Sequence, residues 1–144
     1  VTDAETGETL PAISEVEGNL LLNEGIGELL DLACGLGTPT AFSNANAYIG
    51  VGDSVTAEAA TQTDLQAASN KTYKAMAASY PSRSAQTVTW RAVFGSGDAN
   101  YAWQEFSVAN ASSGTGKNLN RKVSNQGTKA SGQTWTLDLA ITLS

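Results

Sequence analysis

The chain contains no histidine and a single cysteine, Cys34. Without histidine it lacks the commonest general base and the commonest metal ligand. One cysteine excludes an internal disulfide and any zinc site built on clustered thiolates. Charge is scarce as well: Asp, Glu, Lys and Arg make up 15% of the 144 residues, well below the usual quarter. Long apolar runs are missing. The longest, Leu20-Leu21-Leu22, falls far short of the roughly 18 residues of a membrane-spanning helix. No secretory signal is expected at the start, which has neither a basic stretch nor an apolar one. The hydrophobic share of 41% is nevertheless too high for a disordered chain. The length suits one domain with a buried core. Ser, Thr, Asn and Gln supply 46 of the 144 residues, so hydroxyls and amides must cover most of the surface.

The net charge of −6 is unevenly placed. Residues 1–31 carry eight acids and no base, whereas all eight Lys and Arg follow them. An acidic chain without clustered Lys and Arg is a poor ligand for phosphate backbones, so no nucleic-acid partner is expected, and no membrane. Residues 1–18 read as an extended acidic arm, with Pro11 and Gly18 as punctuation and no sustained period. Residues 19–144 read as a single domain. Its one good helix runs from Asn19 to Cys34, with Leu22, Ile26, Leu29, Leu30 and Ala33 on one face and Glu24, Glu28 and Asp31 largely on the other. Asn19 or Asn23 is placed to cap its start and Gly35 to end it. Gly25 and Gly27 weaken it by about 1 kcal/mol each relative to Ala, and leave room for another backbone to approach.

Beyond Pro39 the period changes to two. Strands are expected at Asn46–Gly52, Lys71–Ser79, Gln86–Phe94, Tyr101–Ala109, Asn118–Val123 and Thr134–Leu143, with a structured loop over Asp53–Asn70. Val88, Trp90, Ala92 and Phe94 should face inward, as should Trp135, Leu137, Leu139, Ile141 and Leu143. The fold expected is mainly β: a single antiparallel, jelly-roll-like β-sandwich with one N-terminal helix and the extended arm.

Three glycine-rich segments fail as nucleotide-binding motifs. Val55 and Asn100 stand where a dinucleotide fingerprint needs its third Gly, and Ala111 and Asn118 break the phosphate-loop pattern around Gly114-Thr-Gly116-Lys117. All three read as plain turns. Asp98 and Glu105 flank an aromatic segment but are too far apart on one strand for a paired-carboxylate mechanism. Glu105 is better placed to pair with Arg91 or Arg121 across the sheet. Asp53, or Asp98 with Asn100, lacks the ligand density of a calcium loop. Cys34 reads as a buried, inert thiol, and Trp90, Trp103 and Trp135 as core. No catalytic residue, metal or cofactor is expected.

The run Thr87-Val-Thr-Trp-Arg-Ala-Val-Phe-Gly-Ser-Gly-Asp-Ala-Asn-Tyr-Ala-Trp-Gln-Glu-Phe resembles a pattern in small structural proteins of tailed bacteriophages. Leu119-Asn120-Arg121-Lys122-Val123, Gly127-Thr-Lys-Ala-Ser-Gly-Gln-Thr-Trp-Thr-Leu, Asn44-Ala-Asn-Ala-Tyr-Ile-Gly-Val-Gly-Asp-Ser and Ala59-Ala-Thr-Gln-Thr-Asp-Leu match it too. The resemblance covers residues 19–144 and not the arm. It implies a virion structural protein: a capsid decoration (cement) protein on the outer surface of the head. Its partner there would be the major capsid protein, which it would bind as a homotrimer. The alternative is a minor tail or fibre-attachment connector bound to tail proteins. A carbohydrate-binding module is a third reading. The surfaces expected to meet neighbours are Leu20, Leu21 and Leu36, and the arm. In the arm, Leu10 and Ile13 would fill apolar pockets while Glu5, Glu8, Glu15 and Glu17 face Lys or Arg on the partner.

Overall fold

A computed structural model describes residues 18–113 and 115–144; the arm expected over residues 1–18 lies outside them except for Gly18. The described chain is mainly β. Its elements are β1 (Leu20–Leu21), α1 (Asn23–Cys34), β2 (Tyr48–Gly52), β3 (Lys71–Ala75), β4 (Ser82–Ser84), β5 (Thr87–Phe94), β6 (Glu105–Ala109), β7 (Asn120–Val123) and β8 (Trp135–Thr142). They form two antiparallel sheets, a five-stranded one in the order β1-β7-β6-β2-β3 and a three-stranded one in the order β4-β5-β8. This is a β-sandwich.

The core lies between the sheets because period-two strands present one face each. Ile49 and Val51 of β2 and Phe106 and Val108 of β6 meet Trp90, Ala92 and Phe94 of β5 and Leu139 and Ile141 of β8. Trp103 ties them together edge-on, with ring centroids 4.8 Å from Phe94 and 5.0 Å from Trp135. All three tryptophans therefore belong to or pack on the core. The buried indole N–H groups of Trp90 and Trp103 donate to the carbonyls of Phe42 and Ala99.

The other face of the larger sheet is buried too, which is why every residue of β6 is inside. It is covered by the Asp53–Asn70 loop, whose apolar content is too low to hold itself down. Leu65 and Ala67 are buried, but the loop is fixed chiefly by charge. The Glu105 carboxylate accepts the backbone N–H groups of Gln66 and Ala67 at 2.8 Å and the Arg121 Nε–H at 2.8 Å. Arg121 in turn donates to the carbonyl of Thr56 and to Gln62. Both charged side chains are fully buried. Gly52 of β2 leaves the space that the Glu105 carboxylate fills.

Several expectations need correction. The helix begins at Asn23 rather than Asn19: Leu20 and Leu21 pair with Arg121 and Asn120 instead. Leu22 stands at the cap position with no side-chain cap; its carbonyl accepts the Ile26 N–H at 2.9 Å. Gly35 does end the helix, in a left-handed conformation. The strand expected from Tyr101 starts only at Glu105, because Trp103 N–H is drawn to the Gly127 carbonyl. Gly50 and Gly52 lie inside β2 rather than in a turn. Leu143 lies past the end of β8 and is 53% exposed. Cys34 is exposed rather than buried, since the helix face that carries it turns to solvent.

Acid should destabilise the fold. Asp98 is held below its ordinary value of 3.8 by the Lys74 ammonium and the Gly95 N–H. Glu58 is held below 4.5 by the Val123 N–H. Depressed carboxylates stabilise the folded state above their unfolded values, and that stabilisation is lost as pH falls through the folded ones. Burial raises Glu24 and offsets part of this. Melting temperature should therefore hold steady down to about pH 5 and fall progressively below pH 4. A melting temperature that rises below pH 4 would contradict these assignments.

Candidate assembly surface

The helix is the element whose sequence and position disagree most. Periodicity puts its apolar residues on one face and its acids largely on the other. Instead the body-facing positions are Leu22, Gly25 and Leu29. Gly25 packs directly on the backbone of the Asn118–Leu119 segment: a Cβ there would lie 2.5 Å from the Leu119 Cα and carbonyl oxygen. That contact sets the rotation of the helix about its own axis. It brings Glu24 and Glu28 round to the body as well. Glu24 accepts the Asn118 N–H at 2.6 Å. Glu28 accepts the Thr40 N–H at 2.7 Å and an Asn110 amide N–H at 3.1 Å. Backbone donors without a ladder partner need acceptors, and these two glutamates supply them.

The outward face is consequently apolar. Ile26 is 40% exposed and Leu30 57%, and Ala33 and Cys34 beside them are also exposed. Residues three and four apart share one helix face, so these four form a continuous stripe. Gly27, with nothing within 4 Å of its Cβ position, flanks it. Past the Gly35 turn, Leu36 is again 57% exposed.

Of the residues expected at an interface, Leu20 is 36% exposed on β1 and Leu36 lies in the open. Leu21 is half-buried and packs against the core, so a polar residue there would damage the fold itself. Leu10, Ile13, Glu5, Glu8, Glu15 and Glu17 fall outside the described residues. Ile26 and Leu30 are not legible as surface residues in the sequence, because helical periodicity shows that residues share a face but not which way the face points.

The remaining candidate chemistry is committed to structure. Asp98 accepts the Gly95 N–H at 2.8 Å and pairs with Lys74 at 2.6 Å. Glu105 pairs with Arg121, as one of the two expected pairings had it, while Arg91 pairs with Asp138. The Gly95–Asn100 turn, weighed as a calcium loop, is filled by an ammonium. Lys129, 1% exposed, donates from Nζ to the Gly95 carbonyl and to Asn100 Oδ1 at 2.7 Å each. Burial pulls its amine below the usual lysine range, against the nearby Asp98. Asp53 accepts from the Asn70 amide. Among the described residues no three Asp, Glu or Cys side chains gather where they could hold a metal ion. Every described aromatic side chain is buried or half-buried.

Comparison with family models, with curated proteins and with solved structures returned no match.

Proposed function

We propose that the protein is a structural component of a tailed-bacteriophage virion: a capsid decoration protein that binds the major capsid protein and stabilises the head lattice as a homotrimer. The observation that carries the assembly part of this reading is the helix turned inside out. A helix that directs its glutamates into the domain and leaves Ile26, Leu30 and Ala33 in water presents a surface suited to a partner. The sequence resemblance supplies the virion. On this reading the protein is not an enzyme, and its work is adhesive: apolar contact bridges neighbouring subunits and opposes outward pressure from the packaged genome. The alternative position, a minor tail or fibre-attachment connector, would use the same stripe.

Leu30→Asp tests the reading. It should change the melting temperature of the isolated protein little, because Leu30 is 57% exposed and lies outside the core. Binding to decoration-free heads should weaken by roughly tenfold to a hundredfold, the equivalent of one buried leucine. Unchanged head binding would remove the stripe from the interface. Leu21→Asp is the contrasting variant, and should impair folding because Leu21 packs on the core.

A further inference from the structure

Lys129 brings a primary amine against a carboxamide inside the domain. Its side chain is 1% exposed, and Nζ lies 2.7 Å from Asn100 Oδ1. A C=O bond adds only about 1.2 Å, so the amine is no more than about 3.9 Å from Asn100 Cγ. Atoms about to react stand about 3–3.5 Å apart, a shift of a few tenths of an ångström away.

Both partners are held from their backbones. The Lys129 N–H donates to the Tyr101 carbonyl at 3.1 Å, and Thr128 bridges Ala102. Asn100 is presented by Ala99, whose φ of 50° lies in the left-handed region that residues with a Cβ seldom adopt. The carboxamide is fixed at its other end, where Nδ2 donates to the Ser96 carbonyl at 3.0 Å. Amine and carboxamide therefore meet without a conformational search.

An exposed lysine is protonated at neutral pH and is no nucleophile. Burial pulls the Lys129 amine below the usual lysine range, and Asp98 is the one carboxylate whose charge acts on it. Asp98 is itself fixed by Lys74 and the Gly95 N–H, and a third of its side chain is open to water.

We propose that Lys129 and Asn100 join in an intramolecular isopeptide bond, formed once per chain by the folded domain itself. Nζ gives one proton to Asp98 and a second to the departing Nδ2 group, as the Nζ–Cγ bond forms and the Cγ–Nδ2 bond breaks. Nδ2 leaves with its electron pair as ammonia and carries the Asp98 proton into water as ammonium. One alkylammonium and one carboxamide thus become one secondary amide and one ammonium ion. Nothing is oxidised or reduced, and no co-reactant is needed. Asn100 is exposed on its outer side, so the ammonia has a way out. The bond ties the β5–β6 connection to the β7–β8 connection, a staple of the kind that a chain with one cysteine cannot make as a disulfide. It goes beyond the assembly reading and does not depend on it.

The test is the intact mass of the full chain under denaturing conditions, followed by a tryptic map. The mass should fall below the value for the sequence by about 17 Da, one ammonia per chain. The map should contain a branched peptide in which Lys129 Nζ carries the Asn100 side-chain carbonyl. Lys129→Met and Asn100→Ala should each show the full mass. Asp98→Asn should lose ammonia at least about a hundredfold more slowly than the natural chain; loss at an equal rate would remove Asp98 from the step. A loss that persists in Lys129→Met would be an asparagine closing on its own backbone, and would overturn the cross-link. So would a natural chain that keeps its full mass, with trypsin cutting freely at Lys129, after days of incubation.

Discussion

Gly25→Ala should destabilise the domain by about 3 kcal/mol, although alanine is the better helix former by about 1 kcal/mol. The new methyl would meet the Leu119 Cα and carbonyl oxygen at 2.5 Å and the Asn118 carbonyl oxygen at 2.8 Å. Those are backbone atoms of the segment that accepts the Leu22 N–H and feeds β7, so they cannot swing aside as a side-chain tip would. The helix must lift, and Glu24 and Glu28 then leave the N–H groups of Asn118 and Thr40 without acceptors. Gly27→Ala is the matched control. Nothing lies within 4 Å of its Cβ position, so helix propensity alone acts and the variant should gain up to about 1 kcal/mol. Denaturant titration of the pair reads both signs. Equal behaviour of the two variants would mean that the helix does not dock through Gly25.

Arg121→Met should destabilise by about 3–5 kcal/mol, because it leaves the Glu105 charge buried without its partner. The pair is fully enclosed, so solvent cannot replace the guanidinium. The damage should concentrate in the loop it clamps. Thr56 and Gln62 lose their donor, and the N–H groups of Gln66 and Ala67 are left holding an unbalanced carboxylate. Amide exchange at Gln66 and Ala67 should quicken more than at Ile49 or Val108, which lie between the sheets. Uniform quickening across the domain would show instead that the pair supports global folding and not the loop. Replacing Arg91, whose pair with Asp138 is largely exposed, should change stability by no more than about 1 kcal/mol.

These two sites mark the boundary between what is legible in the sequence and what is not. Strict alternation over residues 88–94 predicts both strand β5 and its inward face, because period two admits one arrangement once a core exists. The same logic finds β8, and cross-sheet charge pairing narrows the partner of Glu105 to Arg91 or Arg121, of which the structure takes Arg121. β4 carries no apolar alternation to announce it, being Ser-Arg-Ser. The loop over 53–70 is legible as a loop, but its clamp is not, since the glutamate and arginine that hold it lie on distant strands. The helix is the clearest failure of pattern. Leu22, Ile26, Leu29 and Leu30 do share a side by periodicity, yet one glycine against a backbone turns half of that side outward. Helical amphipathicity assumes that acids seek water. Glu24 and Glu28 instead satisfy backbone donors, a demand that no local pattern records.

The proposed binding of this domain to the lattice of a phage head is tested most directly by its copy number in the purified virion, taken relative to the major capsid protein by quantitative mass spectrometry. A decoration protein must be present in fixed proportion to the capsid protein, at about one copy for every one to few capsid subunits. That ratio is the predicted result. A handful of copies per particle would move the protein to the tail, and its absence from the particle would contradict the account.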